Sequence, residues 1–442
     1  MRLMFACLLF WISGAISALA LGEVTTYKLD NGLEIVVIED HRAPIVTHMV
    51  WYRVGAADEP SGKSGIAHFL EHLLFKGTEK LAPGEFTEIV DANGGFDNAF
   101  TSYDYTGYFQ RVAADRLELM MEMEADRMQN LVLTEDVVTP ELGVVLAERN
   151  QRTDSNPGAL FSEHRRSLMY VNHPYGTPVV GWRHEIEGLT REDALDFYKK
   201  YYAPNNAILI VAGDVEPKQV LALAQKHYGP NKPSEGIEKR VRPQEPPKRA
   251  PIHTVFTDER VRQPYMIREY LSTPRRTGDQ KEAAALTVFA ELFAGNGVTS
   301  FLGTRLVLEE KSALSVSAWH SSLSYDPSSF GFYLLPAPGF TLEQMNEKLD
   351  EALSAFLEEG VDETHLERII NSIEASEIYA LDDQEGLARR YGQALTSGLT
   401  VDDVAAWPDV LRSVTSEDII KAVEKLIDPK KSVTSFLMPK EN

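Results

Sequence analysis

Apolar residues follow two patterns along the chain, short strand-like runs and longer stretches with helical spacing. Four short runs predict buried strands: Leu33–Ile38, Ile45–Tyr52, Ala207–Ala212 and Gly331–Leu335. The last run is expected to be the late, second-half counterpart of Ala207–Ala212. Between the runs, stretches such as Arg116–Leu131 carry apolar residues at the spacing of an amphipathic helix. The pattern therefore predicts an α+β fold in which helices cover one face of largely antiparallel sheets.

A proline-rich segment divides the chain. Residues 229–251 contain six prolines and little apolar sequence, as expected of an extended tether. We predict a first domain at 21–228, a linker at 229–251 and a second domain at 252–442. The basic cluster between Lys239 and Arg249 could be a nucleic-acid patch. A solvated tether that runs over the acidic surfaces of the domains is the better interpretation. A net charge of -22 also disfavours nucleic-acid partners.

The two parts resemble each other weakly. The apolar helical run around Glu71 corresponds to one around Glu291, with an offset of 220 residues. The Ser-Tyr-Asp sequence that ends at Asp104 corresponds to one that ends at Asp326, with an offset of 222. Two nearly equal offsets indicate a duplicated domain.

The first twenty residues have the pattern of a signal peptide. Arg2 is the one charge, an apolar stretch follows it, and Ala18-Leu19-Ala20 is a cleavage signature. Cleavage after Ala20 would remove the single cysteine, Cys7. A retained anchor and a buried amino-terminal helix are the alternatives. Beyond Ala20 no segment approaches the ~20 apolar residues of a membrane span, so we expect an exported protein, periplasmic or secreted.

One apolar helical run carries metal-binding side chains, His68, Glu71 and His72. On a helix, His68 and His72 lie one turn apart on one face, which suits a pair of zinc ligands. Glu71 shares that face and can accept a proton from a metal-activated water. The alternative is an amphipathic helix with two incidental histidines. Burying these polar groups among the surrounding Phe and Leu residues without a metal would be costly.

A third zinc ligand must come from elsewhere, because a catalytic zinc usually has three protein ligands and one open position. The best source is a segment in which Pro140 suits the first turn of a helix. Glu141 and Glu148 follow, two turns apart and therefore on the same side. One of them can bind the metal while the other lies beside it. Alternatively, both carboxylates belong to a solvated helix face.

These motifs resemble a known family. The sequence HFLEHLLFKGT begins at His68, and VVLAE ends at Glu148, which follows His72 by 76 residues. With NGL at Asn31 and HPYG at His173, they resemble the inverted-zincin peptidases of the pitrilysin and insulinase family. The likeness is greatest to the small-subunit branch that includes mitochondrial processing peptidase and bacterial heterodimeric zinc peptidases. It spans nearly the whole mature chain.

The resemblance implies a Zn²⁺ cofactor bound by His68, His72 and Glu148. It implies that Glu71 is the general base and that Glu141 is a second catalytic carboxylate, which supports turnover. For the fold, it implies two homologous domains that enclose a chamber.

An extended segment after Gly94 and Gly95 is a candidate substrate site. Such a segment at a sheet edge can hydrogen-bond an incoming peptide as an added strand. In the family this edge lies beside the metal, so the resemblance implies that Asn98, Ala99 and Phe100 bind substrate. An ordinary hairpin strand is the alternative.

The second half departs from the family pattern. Members that act alone or as homodimers carry an Arg and a Tyr seven residues apart, and the corresponding positions here hold Val307 and Leu314. Neither side chain can hydrogen-bond a tetrahedral intermediate. The resemblance therefore implies a homologous partner subunit that supplies the Arg and Tyr. The alternative is that Arg305, two residues away and expected on another face, reaches into the site.

The expected function is a zinc metalloendopeptidase that acts on peptides or unfolded segments, as the catalytic subunit of a heterodimer. A binding or assembly subunit on a peptidase scaffold, with little activity alone, is the alternative. Another hydrolase with the same zinc site comes third. The complete set of metal-binding and acidic side chains favours the peptidase.

Overall fold

The computed structural model describes residues 24–295 and 297–440, so the predicted signal peptide at 1–20 lies outside the described residues. The first half comprises β1 (Val24–Lys28), β2 (Glu34–Glu39), β3 (Ile45–Tyr52), α1 (Ile66–Leu73), α2 (Glu85–Ala92), β4 (Phe96–Thr101), β5 (Thr106–Ala113), α3 (Leu117–Gln129), α4 (Glu135–Arg149), α5 (Pro157–Met169), α6 (Arg183–Ile186), α7 (Arg191–Tyr201), β6 (Ala207–Gly213) and α8 (Pro217–His227). The second half comprises β7 (Ile252–Asp258), β8 (Tyr265–Ser272), α9 (Lys281–Ala290), α10 (Phe301–Gly303), β9 (Ala313–His320), β10 (Ser328–Pro336), α11 (Leu342–Glu359), α12 (Glu363–Ala380), α13 (Gln384–Thr396), α14 (Val401–Arg412), α15 (Ser416–Leu426) and β11 (Val433–Pro439).

The first sheet has six strands in the order β1-β2-β6-β3-β5-β4. Its pairs are antiparallel except for β2 with β6, which is parallel. Strands β2, β3 and β6 agree with the predicted runs to within one residue at each end. Every residue of β6 is buried, which explains its uninterrupted apolar sequence, because such a strand is covered on both faces.

The second sheet repeats this topology with five strands in the order β7-β11-β8-β10-β9. When β1 is set aside, the two orders correspond, and in each half the last strand pairs in parallel with the first. The predicted duplication is thus visible in the strand order. One assignment was wrong, because Gly331–Leu335 lies in β10, the counterpart of β5, and the counterpart of β6 is β11. Both runs are apolar, and apolarity alone does not reveal which strands pair.

Each sheet is covered on its second face by a helix from the other half. Helix α13 of the second half packs on the first sheet, where a Cβ on Gly392 would lie 2.1 Å from the Trp51 indole. Helix α5 of the first half packs on the second sheet, where the rings of Phe161 and Phe256 lie 6.1 Å apart. The helices predicted on one face of each sheet therefore form one layer, and the exchanged helices form another.

The segment between the halves is docked against both of them. The side chain of Arg242 is only 3% exposed, and its guanidinium donates to Asp58 at 2.9 Å, Asp104 at 2.6 Å and Asp326 at 3.1 Å. The expectation of a solvated tether is therefore wrong at this point. Three carboxylates brought together from both halves need a countercharge, and the buried guanidinium supplies it.

A cavity of about 1000 Å³ lies at the junction, where the resemblance implies a chamber between the domains. Residues from both halves and from the linker line it, including Glu59, Tyr170, Arg240 and Tyr325. The predicted metal ligands are not part of this lining. The predicted metal ligands therefore belong to a different surface of the first half.

Candidate metal centre

Helix α1 presents three polar side chains on one face because its other face is buried. The buried side chains are Ile66, Ala67, Phe69, Leu70 and Leu73. Gly65 immediately precedes the helix. Its φ of 89° favours glycine, and a Cβ there would lie 2.6 Å from the carbonyl oxygen of Val180. The carboxylate of Glu59 accepts hydrogen bonds from the N–H groups of Gly65 and Ala67. These contacts anchor the first turn of α1 and thereby the position of His68.

The donors of two histidines and one glutamate converge. Nε2 of His72 lies 3.2 Å from Oε2 of Glu148, and Nε2 of His68 lies 3.7 Å from the same oxygen. One ligand atom from each residue lies within 4.8 Å of the others. Two ligand atoms bound tetrahedrally to one zinc at about 2.1 Å lie about 3.4 Å apart, so this donor set fits Zn²⁺. The geometry favours Glu148 over Glu141 as the third ligand.

Glu141 contacts the opposite side of the His72 ring. Its Oε1 lies 2.8 Å from His72 Nδ1, and its Oε2 lies 2.5 Å from Lys76 Nζ. Burial raises the pKa of Glu141, but hydrogen bonds from His72 and Lys76 outweigh burial and leave this pKa below its usual value. An ionised Glu141 that holds Nδ1 turns Nε2 toward Glu148, as carboxylates beside metal-binding histidines commonly do.

Helix α4, which carries both glutamates, begins earlier than predicted. Its first residue is Glu135, after Thr134, so Pro140 lies inside the helix instead of in its first turn. A proline at this place cannot donate to the carbonyl of Asp136. Asp136 is exposed, so water can donate a hydrogen bond to its carbonyl oxygen instead. The start of the helix was therefore misjudged, while the shared face of Glu141 and Glu148 was not affected.

Glu71 is held by the end of strand β4. Thr101 donates its hydroxyl hydrogen to Oε2 of Glu71 over 2.5 Å. Burial raises the pKa of Glu71, and the hydrogen bond from Thr101 opposes that rise. Burial and the neighbouring His72 lower the pKa of His68 to about 4. His68 is thus neutral near pH 7, the form in which a histidine binds a metal.

Strand β4 forms the edge of the first sheet beside α1, and it pairs with β5 on one side. Asn98 is exposed, and Ala99 is partly buried on the strand face that also carries Thr101. The ring of Phe100 packs on the other face, 4.7 Å from Trp51. Backbone groups of this edge can therefore meet a peptide, while the Phe100 side chain points away from Glu71. Substrate binding by the three residues stays a prediction.

The two substituted positions of the second half have different environments. Val307 packs against the second hydrophobic core, and Leu314 on β9 is half exposed. The guanidinium of Arg305 pairs with Glu359 and lies 4.3 Å from the centre of the Phe301 ring. Arg305 is thus engaged within its own half, in agreement with its expected position on another face.

Thr101 and Lys76 were not singled out from the sequence, although both lie in motifs that were examined. The alternation of β4 placed Thr101 on the same strand face as Ala99, which was a usable signal. Lys76 follows His72 by four residues, but α1 ends at Leu73, so helical spacing alone did not connect it with Glu141. Its role depends on the approach of α4.

Comparisons with known proteins identify the family of the chain. Residues 34–182 match the family "Insulinase (Peptidase family M16)", and residues 188–373 match "Peptidase M16 inactive domain". The zinc protease PqqE of Helicobacter pylori is 30% identical over 419 residues, which cover 93% of this chain and 92% of that protein. The crystal structure of a protease from Helicobacter pylori has a TM-score of 0.86 at 29% identity and covers 95% of this chain and 100% of that one.

The periplasmic protease PqqL from Escherichia coli shares the fold, with a TM-score of 0.81 at 20% identity. The match covers 94% of this chain and 47% of PqqL. The similarity to the Helicobacter proteins runs through both halves, and several other relatives are also named zinc proteases. The chain therefore belongs to the insulinase family of zinc peptidases, family M16.

Proposed function

We propose that this chain is the catalytic, zinc-binding subunit of an endopeptidase that cuts peptides or unfolded protein segments. The proposal depends on one observation, the convergence of His68, His72 and Glu148. Glu71 lies on the same face of α1 as the two histidines. A binding or assembly subunit would have no need for this complete set. The names of the relatives support zinc and proteolysis in general.

Each polar group of the site has a task in peptide hydrolysis. When bound, Zn²⁺ supplies Lewis-acid polarisation of the scissile carbonyl and lowers the pKa of water. Glu71 takes the proton of the attacking water and passes it to the leaving amine. Thr101 holds the carboxylate of Glu71, and Glu141 holds the ring of His72. The free edge of β4 provides backbone groups that can bind a peptide in extended form.

The test combines metal analysis with cleavage of a quenched peptide. We expect about one zinc per chain and a loss of at least about 1000-fold in turnover for Glu71→Gln, with zinc retained. His68→Ala and His72→Ala should lose zinc and activity together. The matched control is Glu291→Gln, which changes the corresponding carboxylate of the second half and should leave both unchanged. Loss of zinc from Glu71→Gln would contradict its role as a base.

The proposed enzyme works with a homologous partner subunit. Val307 and Leu314 cannot donate hydrogen bonds, and Arg305 is engaged with Glu359, whereas donors aimed at a developing oxyanion are worth several kcal/mol. A homodimer would offer the same substituted half to each metal. We therefore expect low activity from the isolated chain and a large increase when a related, co-encoded subunit is added. Full activity alone, unchanged by any such subunit, would contradict the heterodimer.

We also propose that the protein works outside the cytoplasm, in the periplasm or after secretion. The sequence pattern of residues 1–20 supports this location. No helix within the described residues has both the length and the apolar character needed to cross a membrane. Sequencing the amino terminus of the protein from its native host tests the proposal. A mature chain that starts after Ala20 supports it, and a chain that keeps Met1 and is recovered in the cytoplasmic fraction contradicts it.

A further inference from the structure

Two arginines near the carboxyl end of α4 have opposite environments. Arg149 has a side chain only 5% exposed, and its guanidinium donates to Glu163 and to the carbonyl oxygen of Gly181. Arg152 lies in the π-helical turn that follows, Asn150–Asp154, and its side chain is 77% exposed. The first arginine is therefore part of the packing, while the second presents its charge to solvent.

The exposed Arg152 forms an ion pair with Glu148, one of the proposed metal ligands. Nη1 of Arg152 lies 2.8 Å from Oε1 of Glu148, and the other oxygen of that carboxylate faces His72 at 3.2 Å. Glu148 thus has one oxygen for the metal and one for the guanidinium. A π-helical turn inside or at the end of an α-helix is often found at a functional site.

Within the part of the chain that the structure describes, most of the hydrogen-bonding capacity of Arg152 is unused. A guanidinium has five N–H donors in a planar fork, and its ion pair with Glu148 uses one nitrogen. The other cation beside the site, Lys76, is already bonded to Glu141. Such an exposed fork matches a carboxylate. It does not suit an oxyanion, whose donors act best where water is excluded.

We propose that Arg152 binds a carboxylate of the peptide substrate close to the bond that is cut. This inference rests on the proposed peptidase function and adds a substrate preference to it. An extended peptide advances about 3.3 Å per residue, so a group in contact with Glu148 lies within one or two residues of the scissile bond. The carboxylate is either an acidic side chain or the free carboxyl terminus of a short peptide.

The preference can be measured with two pairs of peptides, using the zinc-loaded chain together with its partner subunit. One pair differs only by Glu or Gln next to the scissile bond, and the other by a free or amidated carboxyl terminus two residues beyond it. The wild type should prefer the carboxylate in at least one pair by about tenfold in kcat/KM, as expected for one charge-assisted hydrogen bond. The pair that shows the preference identifies the source of the carboxylate.

In Arg152→Gln the preference should fall to about one. The control is Arg116→Gln, because the Arg116 side chain is also exposed, at 49%, and pairs with Asp115 on a different turn. Arg116→Gln should keep the wild-type preference. A wild type without preference in either pair overturns the proposal. An equal loss for both members of each pair in Arg152→Gln, with the ratio unchanged, also overturns it, because Arg152 would then act through Glu148.

A binding measurement separates this inference from the proposed function. Glu71→Gln should bind the carboxylate peptide about tenfold more tightly than its neutral counterpart by calorimetry, and the double variant with Arg152→Gln should bind both equally. If the wild type cleaves neither peptide, the peptidase proposal fails while this binding difference still tests Arg152. Equal affinities in Glu71→Gln overturn the role of Arg152 whether or not the chain is a peptidase.

Discussion

When β1 is set aside, the two halves have the same strand order. The helices at one corresponding place, however, carry polar side chains in the first half and apolar ones in the second. Helix α1 follows β3, and α9 follows β8, at matching places in the two sheets. The offset that aligns Glu71 with Glu291 places Val288 opposite His68 and Leu292 opposite His72. Both apolar residues are buried in the second core. The same scaffold thus carries a candidate metal centre in one half and core packing in the other.

The end of the edge strand differs in the same way. In the first half, Thr101 at the end of β4 donates to Glu71. In the second half, the ring of His320 at the end of β9 lies 3.1 Å from the Thr287 hydroxyl on α9. Among the described residues, the groups of donors close enough to share an ion all lie in the first half. The comparison shows that the repeated topology brings a helix and the end of the edge strand together in both halves. The side chains on them determine whether a candidate metal site forms there.

Removing the buried countercharge between the halves should have the largest effect on stability. Arg242→Met would leave Asp58, Asp104 and Asp326 without their countercharge, and we expect a loss of about 3–5 kcal/mol in the free energy of unfolding. Urea unfolding followed by circular dichroism measures it. The control is Lys239→Met, an exposed change in the same linker. A loss below about 1 kcal/mol would mean that the exchanged helices alone hold the halves together.

Acid should weaken the second half through His320. Burial lowers the pKa of His320 to about 4, against 6.5 in the unfolded chain. Between these values the unfolded chain binds a proton that the folded chain does not, so stability falls as pH drops from 6.5 toward 4. The loss amounts to at most roughly 3 kcal/mol.

Unfolding of wild type and His320→Gln at pH 7 and pH 5 tests this prediction, because the variant should lose less stability over that interval. His48→Gln serves for comparison in the first half, where burial also lowers the pKa of His48. Identical pH dependence of wild type and His320→Gln would show that His320 takes up no proton on unfolding.

The two glutamates of α4 should separate into different effects. Glu148→Gln replaces a proposed ligand by a poor one, and we expect zinc affinity to fall by about 100-fold or more. Glu141→Gln should mainly lower turnover, by roughly 10–100-fold, because Glu141 contacts His72 and not the proposed metal position. Competition with a chelator measures affinity, and peptide cleavage measures turnover. The reverse result would mean that the metal lies on the other side of His72.

Substitutions at Thr101 should have the smallest effect on activity, and they test a single hydrogen bond. Thr101→Val keeps the shape of the side chain and removes the hydrogen bond to Glu71, so we expect kcat to fall about tenfold. KM and zinc content should hardly change. Thr101→Ser keeps the hydroxyl and should recover most of the loss. A Val variant as active as wild type would show that Glu71 is held in place without Thr101.

The sequence by itself determined the helix that carries the two candidate histidine ligands and the helix that carries the candidate glutamates. His68, Glu71 and His72 share a face of α1 because helical geometry relates residues three and four apart. The same reasoning placed Glu141 and Glu148 on one side of α4. The duplication was also readable, because the residues that define its two offsets lie at corresponding places in the two halves. These are local or repeated features, which depend little on how distant segments pack.

Tertiary structure alone decided how Lys76 and Arg242 are paired and which helices the halves exchange. It brought Lys76 to Glu141, and it placed Glu148, the ligand that the resemblance had implied, at the Nε2 atoms of both histidines. It also buried Arg242 among carboxylates of both halves and exchanged helices between the sheets. Helical spacing does not predict such contacts, because they join residues far apart in the chain and are set by how apolar faces are buried.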